Sequence, residues 1–153
     1  MTQEDKELLL KDLCARLPYG VKIQVPYEDG SGYFDEIVWE VNNDGPFHVN
    51  GWGIEYEYVK PYLFPLSSMT EEEAKELSVL YGIKDILSIN ITDEYIDFKV
   101  DDGFCSFERK TIWYNEIISS TETFDWLNKN HFDYRGLIEK GLAIDATGLN
   151  IYC

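Results

Sequence analysis

Residues 95–107 read YIDFKVDDGFCSF and give the clearest indication of the fold. Phe98 and Val100 alternate with charged residues, which is typical of a strand with one buried face. The Asp102–Gly103 pair then favours a two-residue turn between two antiparallel strands. Such a turn sets Phe98 opposite Phe107, so the apolar side chains share one face. The stretch therefore predicts a β-hairpin.

The same register places acidic residues on the outer face of this hairpin. Asp97 would lie opposite Glu108, where two carboxylates repel each other. Lys99 and Lys110 on the diagonals are expected to neutralise them. Asp97 and Glu108 are therefore candidates for an acidic outer surface.

Helical and strand patterns alternate along the rest of the chain. Leucines at helical spacing predict a helix over residues 2–16 that Thr2 can cap. Thr70 with Glu73 forms a capping box that begins a second helix. A third helix is predicted from Ser120 or Thr121 to about Asn130. Short alternating segments fill the intervals. We predict an α+β fold with antiparallel sheets in a helix-βββ-helix-βββ(β)-helix order, forming one compact domain over residues 1–153.

Residues 53–59 are predicted to form the third of these strands. Ile54, Tyr56 and Tyr58 alternate with Glu55 and Glu57. A strand of this pattern turns its aromatic residues toward the core and its acids toward solvent. Glu55 and Glu57 thus join the predicted acidic surface.

The charge balance excludes some partners and favours others. The chain has 29 acidic and 13 basic residues, a formal net charge of −16. Such a field repels phosphates, which argues against direct nucleic-acid binding and against anionic membranes. No apolar run approaches the roughly 20 residues of a membrane helix, and the acidic N-terminus does not resemble a signal peptide. We expect a cytoplasmic protein whose partner has a basic surface.

Cysteines and histidines give no indication of a cofactor. The three cysteines form no Cys-x-x-Cys pair, and Cys14, lying between leucines, is predicted to be a small core residue. The two histidines are far apart in sequence, so no metal site is expected. Hydrolase elbows, phosphate-binding loops and dinucleotide fingerprints are missing from the sequence. The sequence therefore favours a function other than catalysis, without a cofactor.

Residues 124–144 concentrate side chains that suit a binding site. Trp126 and Tyr134 are possible aromatic anchors, and His131 with Asp133 matches a base and its orienting acid. Arg135 suits a phosphate or carboxylate ligand. The alternatives are structural: a histidine that closes a helix end, and an arginine that pairs with Asp133 or a nearby glutamate.

Three segments also show a resemblance to other proteins. Residues 12–21, 60–73 and 126–138 resemble a group of uncharacterised proteins from gut Bacteroides-type bacteria and their phages and mobile elements. The resemblance covers about a third of the chain. It implies a phage or mobile-element setting in a bacterial host cell, and it implies no activity.

The sequence as a whole predicts a non-enzymatic acidic binding protein. In a phage or mobile-element setting it would modulate a host or defence protein that has a basic surface. A self-associating structural or assembly protein, including a homo-oligomer, is the first alternative. A small-molecule binder that uses residues 131–135 is the second. The residues expected to carry the interaction are Trp126, Tyr134, Arg135, Glu55, Glu57, Asp97 and Glu108.

Overall fold

The computed structural model describes residues 1–38, 40–42, 45–47 and 59–152. These residues fall into two compact units, which we call unit 1 (Met1–Phe64 with Arg135–Cys153) and unit 2 (Pro65–Tyr134). Helices and strands of both units confirm the predicted α+β class. Within the described residues, no helix has the length and apolar character to cross a membrane.

Unit 1 begins with helix α1, Gln3–Arg16. Thr2 caps it as predicted: its hydroxyl accepts from the Asp5 N–H at 3.1 Å, and the Asp5 carboxylate accepts from the Thr2 N–H at 3.4 Å. The prediction for Cys14 was wrong, because this side chain is exposed. The buried face of α1 is formed by Leu9, Asp12, Leu13 and Arg16, and Cys14 lies outside it.

The sheet of unit 1 pairs four strands in the order β10-β5-β1-β2. Their bounds are Lys22–Pro26 (β1), Tyr33–Ile37 (β2), Lys60–Pro65 (β5) and Ile144–Asp145 (β10). β10 runs parallel to β5, and the other pairs are antiparallel. Glu40–Asn42 (β3) pairs with Gly45–Phe47 (β4) in a separate hairpin. The core of the unit contains Leu9, Leu13, Val21, Ile23, Val25, Val38, Val59, Leu63, Leu137, Leu142 and Ala143.

The inward-facing residues of β2 differ from the prediction. Alternation with Glu36 and Glu40 predicts that Ile37, Trp39 and Val41 face inward. Ile37 is exposed and Val38 is buried instead, whereas Val41 packs against the core as predicted. Pairing with β1 explains the change, since it sets Phe34 opposite Val25 and turns Ile37 outward. Trp39 lies outside the described residues. So does the predicted strand over residues 53–58.

Unit 2 contains helices α2, Glu71–Leu80, and α3, Thr121–Lys129. The capping box of α2 is confirmed: the Glu73 N–H donates to the Thr70 hydroxyl at 3.2 Å, and the Thr70 N–H donates to the Glu73 carboxylate at 2.9 Å. The Ser120 hydroxyl caps α3 by accepting a hydrogen bond from the Thr123 N–H at 3.1 Å. A two-residue strand, Phe132–Asp133 (β9), follows.

The sheet of unit 2 is antiparallel, in the order β6-β7-β8. The strands are Ile86–Ile91 (β6), Tyr95–Asp101 (β7) and Phe107–Trp113 (β8). Ile96, Phe98, Val100 and Ile112 are buried on one face.

The predicted register of the β7–β8 hairpin was wrong. Phe98 lies opposite Lys110 rather than Phe107, and Asp97 lies opposite Thr111 rather than Glu108. The cause is a loop over residues 102–106 in place of a two-residue turn. The Asp102 carboxylate accepts hydrogen bonds from the N–H groups of Phe104 and Ser106, at 2.8 and 3.2 Å. These bonds stabilise a longer loop than the Asp-Gly pair alone indicates.

Candidate protein-binding surface

The aromatic residues of the C-terminal stretch are held by contacts within unit 2. Trp126 is half-buried, stacks on Phe132 with ring centroids 5.5 Å apart, and donates its indole N–H to Glu76 at 3.1 Å. The Tyr134 hydroxyl donates to the Asn128 side chain at 2.6 Å, and its ring meets Phe124 edge-on at 5.7 Å. Both residues therefore stabilise the packing of α3 against the segment that follows it.

His131 and Asp133 are both buried. His131 follows the end of α3 with a backbone φ of 60°, and its N–H donates to the Asn128 carbonyl at 3.1 Å. This left-handed residue after the last helical turn is a common helix ending. The structural role that the sequence offered as an alternative for His131 agrees with this placement.

Arg135 belongs to unit 1 and pairs with an acid that is distant in sequence. Its Nε lies 3.2 Å from the Asp12 carboxylate. That carboxylate also accepts from Arg16, at 2.8 and 3.1 Å. The Asp12 and Arg16 side chains are fully buried and that of Arg135 is 18% exposed. The structure thus supports an ion-pair role for Arg135, with Asp12 as a partner that the sequence did not indicate.

The two acids predicted for the outer face of the hairpin have basic partners. Asp97 lies 3.3 Å from the Arg109 Nε and accepts from the Thr111 hydroxyl at 2.9 Å. Glu108 lies 3.8 Å from the Lys110 Nζ. Their charges are therefore largely compensated on the same sheet. Glu55 and Glu57 lie outside the described residues.

A different part of the hairpin exposes an aromatic side chain. Phe104, in the β7–β8 loop, is 87% exposed. The loop is fixed by Asp102, as described above, and by Asp101, whose carboxylate accepts from the Gly103 N–H at 2.9 Å. Gly103 and Cys105 both have positive φ, of 81° and 64°. Phe104 is thus displayed at the tip of a well-defined turn.

Three aspartates lie at this end of the sheet. The Asp101 N–H donates to the Asp85 carbonyl at 2.9 Å, which brings Asp85 to the same end of the sheet as Asp101 and Asp102. None of the three forms an ion pair within the part of the chain described here. We call Asp85, Asp101, Asp102, Phe104 and Phe107 the acidic hairpin end.

Phe107 extends this surface onto the open face of the sheet. It is 51% exposed, and the Lys99 Nζ lies 3.8 Å from the centre of its ring. At the far end of the same face, Trp113 packs on Tyr95 with centroids 4.9 Å apart. The open face therefore has an aromatic group at each end and ion-paired residues between them.

The sequence did not single out Phe104 or Asp85 as site residues. The doubled aspartate before Gly103 is the feature that, interpreted as two side-chain-capped turns, would have indicated a longer loop with Phe104 at its tip. Asp85 has a φ of 57° after a helix and a glycine turn. Asp85 lies near Asp101 because β6 pairs with β7, and no local sequence pattern indicates this proximity.

Few groups of the described residues have features of reactive chemistry. No group of three or more His, Cys, Asp or Glu side chains among them is positioned to hold a metal ion. Burial, together with the nearby Asp93 carboxylate, raises the pKa of Tyr114 to about 12. Burial also raises the pKa of Tyr62, whose hydroxyl donates to Asp35 at 2.6 Å. Both tyrosines are therefore neutral hydrogen-bond donors at ordinary pH.

Comparisons of the chain with protein-family models, curated proteins and solved structures find no match.

Proposed function

We propose that this chain is a protein-binding module whose acidic hairpin end docks on a basic surface of another protein. The observation that carries the proposal is Phe104, an aromatic side chain 87% exposed on a turn fixed by three hydrogen bonds. Large apolar side chains are normally buried, so one displayed in this way suits the anchor of an interface.

The fixed turn favours binding because little freedom is lost on association. Backbone N–H groups of Gly103, Phe104 and Ser106 are already bonded to the two aspartates. A flexible loop would lose conformational entropy when its side chains become immobile, at roughly 0.5–1.5 kcal/mol for each side chain. A preorganised Phe104 avoids much of this cost.

Charge supports a basic partner. Asp85, Asp101 and Asp102 add three negative charges around the anchor, in a chain with a net charge of −16. A negative field accelerates the encounter with a positively charged surface, and it repels nucleic acids and anionic lipids. A protein with a basic patch around an apolar pocket is the complement of this end of the sheet.

The resemblance of three segments to proteins of phages and mobile elements supports a biological setting for the proposal. In that setting the partner is a host or defence protein in the bacterial cytoplasm, and docking modulates its activity. A target that acts on nucleic acid carries a basic surface. An acidic protein that occupies such a surface competes with the nucleic acid.

A capture experiment tests the anchor. Wild type, Phe104→Ala and the control Val79→Ala are immobilised and exposed to host lysate at low and high salt, and bound proteins are quantified by mass spectrometry. Val79 is 74% exposed on α2, so the control removes an exposed apolar group elsewhere in unit 2. We expect a basic protein that Phe104→Ala loses and Val79→Ala retains. Equal capture by all three would contradict the proposal.

The small-molecule alternative has less structural support. His131 and Asp133 are buried, and Arg135 is held by Asp12. A thermal-shift screen of nucleotides and sugar phosphates with wild type and Arg135→Ala tests it. A ligand-dependent shift that disappears in the variant would favour this alternative.

A further inference from the structure

Among the residues that the structure describes, strand β8 has a neighbouring strand on one edge only. The Tyr114 N–H donates to the Glu94 carbonyl at 3.1 Å, and the Asp102 N–H donates to the Ser106 carbonyl at 3.4 Å. In this antiparallel pair, even-numbered residues of β8 are thus bonded to β7, and odd-numbered ones direct their N–H and C=O groups outward. Within the described ranges, β8 pairs only with β7. The outward-directed residues are Phe107, Arg109, Thr111 and Trp113.

Exposure along the strand agrees with an uncovered edge. Phe107 and Trp113 are 51% and 46% exposed, and the Arg109 side chain is 74% exposed. Only Ile112 of this strand is buried. A row of unpaired backbone groups beside exposed aromatics is a template for another strand.

The opposite edge of the same sheet is protected. The pairing of β6 with β7 shifts between Ile86 and Ser88, which indicates a bulge. Bulges bend a strand and interrupt the regular backbone pattern that a partner strand needs. β8 pairs with β7 without interruption from Phe107 to Trp113, so its outer edge is regular.

Charged side chains on an edge ordinarily discourage pairing, and β8 has three of them. Here they are compensated, since Arg109 pairs with Asp97 at 3.3 Å and Lys110 with Glu108 at 3.8 Å. In a chain of net charge −16 this edge is nearly neutral. It is thus a surface where a second copy can approach without facing a row of acids.

We infer that β8 pairs antiparallel with β8 of a second copy, about a twofold axis at Lys110. In this register Phe107 lies opposite Trp113 of the second copy, and Arg109 lies opposite Thr111 of the second copy. Every outward-directed residue then exchanges backbone hydrogen bonds. The two Lys110 residues lie opposite each other and would repel, but each has its own Glu108 two positions away and the Glu108 of the second copy on the diagonal, and these carboxylates offset the repulsion.

The twofold axis makes the contact self-complementary, and the two sheets become one continuous sheet of both copies. Aromatic pairs across strands contribute about 0.2–1 kcal/mol beyond alanine, and this register forms the Phe107–Trp113 pair twice. The inference stands independently of the proposed function. Salt should strengthen the dimer, because it screens the repulsion between two acidic copies. Salt should weaken the binding of a basic partner, so the two interactions have opposite salt dependences.

Sedimentation velocity of the purified full chain tests the inference, from micromolar to near-millimolar protein at low and high salt. The decisive pair is Thr111→Pro and Thr111→Ala. Both lose the Thr111 hydroxyl bond to Asp97, but only proline removes an outward-directed N–H. The backbone hydrogen bonds between β7 and β8 do not involve the Thr111 N–H, so both variants can keep them. We expect a wild-type dimer that persists in Thr111→Ala and weakens at least about tenfold in Thr111→Pro.

A second pair tests the register at the axis. Lys110→Glu would gather four carboxylates around the twofold axis, whereas Lys140→Glu makes the same charge change at an exposed position of unit 1. We expect only Lys110→Glu to weaken the dimer. A chain that is monomeric under all conditions would overturn the inference. So would a dimer that Thr111→Pro and Lys110→Glu leave unchanged, and circular dichroism of each variant confirms that the fold is intact.

Discussion

A group of charged side chains in unit 1 and an aromatic side chain in unit 2 differ sharply in burial. In unit 1 the Asp12 and Arg16 side chains are fully buried and ion-paired, whereas in unit 2 Phe104 is 87% exposed. Buried charges persist where a counter-charge and hydrogen bonds compensate the loss of water. An exposed aromatic group has no such internal compensation. The comparison separates side chains that hold the fold from those available to a partner.

The same distinction applies among the acids. Asp97 and Glu108 have basic neighbours on their own sheet, and Asp12 has two arginines. Asp85, Asp101 and Asp102 lie instead at the end of the sheet that carries the exposed Phe104. A net charge of −16 therefore does not identify the acids that face a partner. Their spatial neighbours do.

The largest effect on stability is expected when the Asp12 carboxylate is removed. Arg16 and Arg135 both pair with this carboxylate, and we call the three residues the buried cluster. Asp12→Ala leaves Arg16 buried beside Arg135 without the shared acid, and we expect the free energy of unfolding to fall by about 3–5 kcal/mol. Urea denaturation measures it. Asp125→Ala, at an exposed position of α3, is the control and should change stability by less than about 0.5 kcal/mol. Equal effects of the two substitutions would remove the basis of the comparison.

The two arginines of the cluster should differ. Arg16→Ala leaves Asp12 with a partly exposed partner and we expect a cost of about 3 kcal/mol. Arg135 contacts Asp12 and is 18% exposed, so Arg135→Ala should cost about 1–2 kcal/mol. Urea unfolding of both variants measures the order. No loss of stability in Arg135→Ala would show that this residue is held for a ligand rather than for the fold.

Unfolding at alkaline pH measures the contribution of Tyr114, a half-buried tyrosine of unit 2, to stability. The Tyr114 hydroxyl donates to the Thr92 carbonyl at 2.7 Å, and its pKa is raised to about 12. Above pH of about 10 the unfolded chain releases this proton and the folded chain keeps it, so stability falls as pH rises toward 12. Because Tyr114 is half-exposed, its share should be about 1 kcal/mol.

Tyr114→Phe supplies the control for this pH dependence. The variant should lose less stability than wild type between pH of about 9 and 11.5, as measured by urea unfolding. Parallel curves for the two proteins would mean that the Tyr114 proton is bound no more tightly in the folded state.

The smallest expected effect on stability is at the proposed anchor. Phe104→Ala should leave the free energy of unfolding within about 0.5 kcal/mol of wild type, because its side chain is already exposed. Phe98→Ala, a fully buried counterpart on β7, should cost about 3–5 kcal/mol. A large loss in Phe104→Ala would assign the side chain to packing and weaken its role as an anchor.

Local patterns predicted much of the fold. Thr2 and Thr70 cap their helices as expected, since a cap depends only on residues three positions away. The α+β class followed from alternating short patterns. The β7–β8 register failed because Asp-Gly indicated the shortest turn, and the added side-chain bonds of Asp102 favour a longer one.

The candidate site was less accessible to prediction. The ion pair of Arg135 with Asp12 was not predicted, because Asp12 lies far from Arg135 in the sequence. Trp126 and Tyr134 have the composition of interface anchors, but packing on Phe132 and Phe124 holds them in place. Exposure is a property of the whole fold, so no local pattern distinguished Phe104 from these aromatic residues.

The most direct test of the central claim is the salt dependence of partner affinity after the hairpin carboxylates are neutralised. Asn at positions 85, 101 and 102 keeps an acceptor oxygen and tolerates the left-handed backbone, so the variant Asp85→Asn with Asp101→Asn and Asp102→Asn preserves the turn. The control Glu28→Gln with Asp125→Asn and Glu139→Gln removes the same charge from exposed positions elsewhere. Titration calorimetry with the captured partner should show weaker binding and a shallower salt dependence for the hairpin variant alone. The same loss in both variants would contradict docking through the acidic hairpin end.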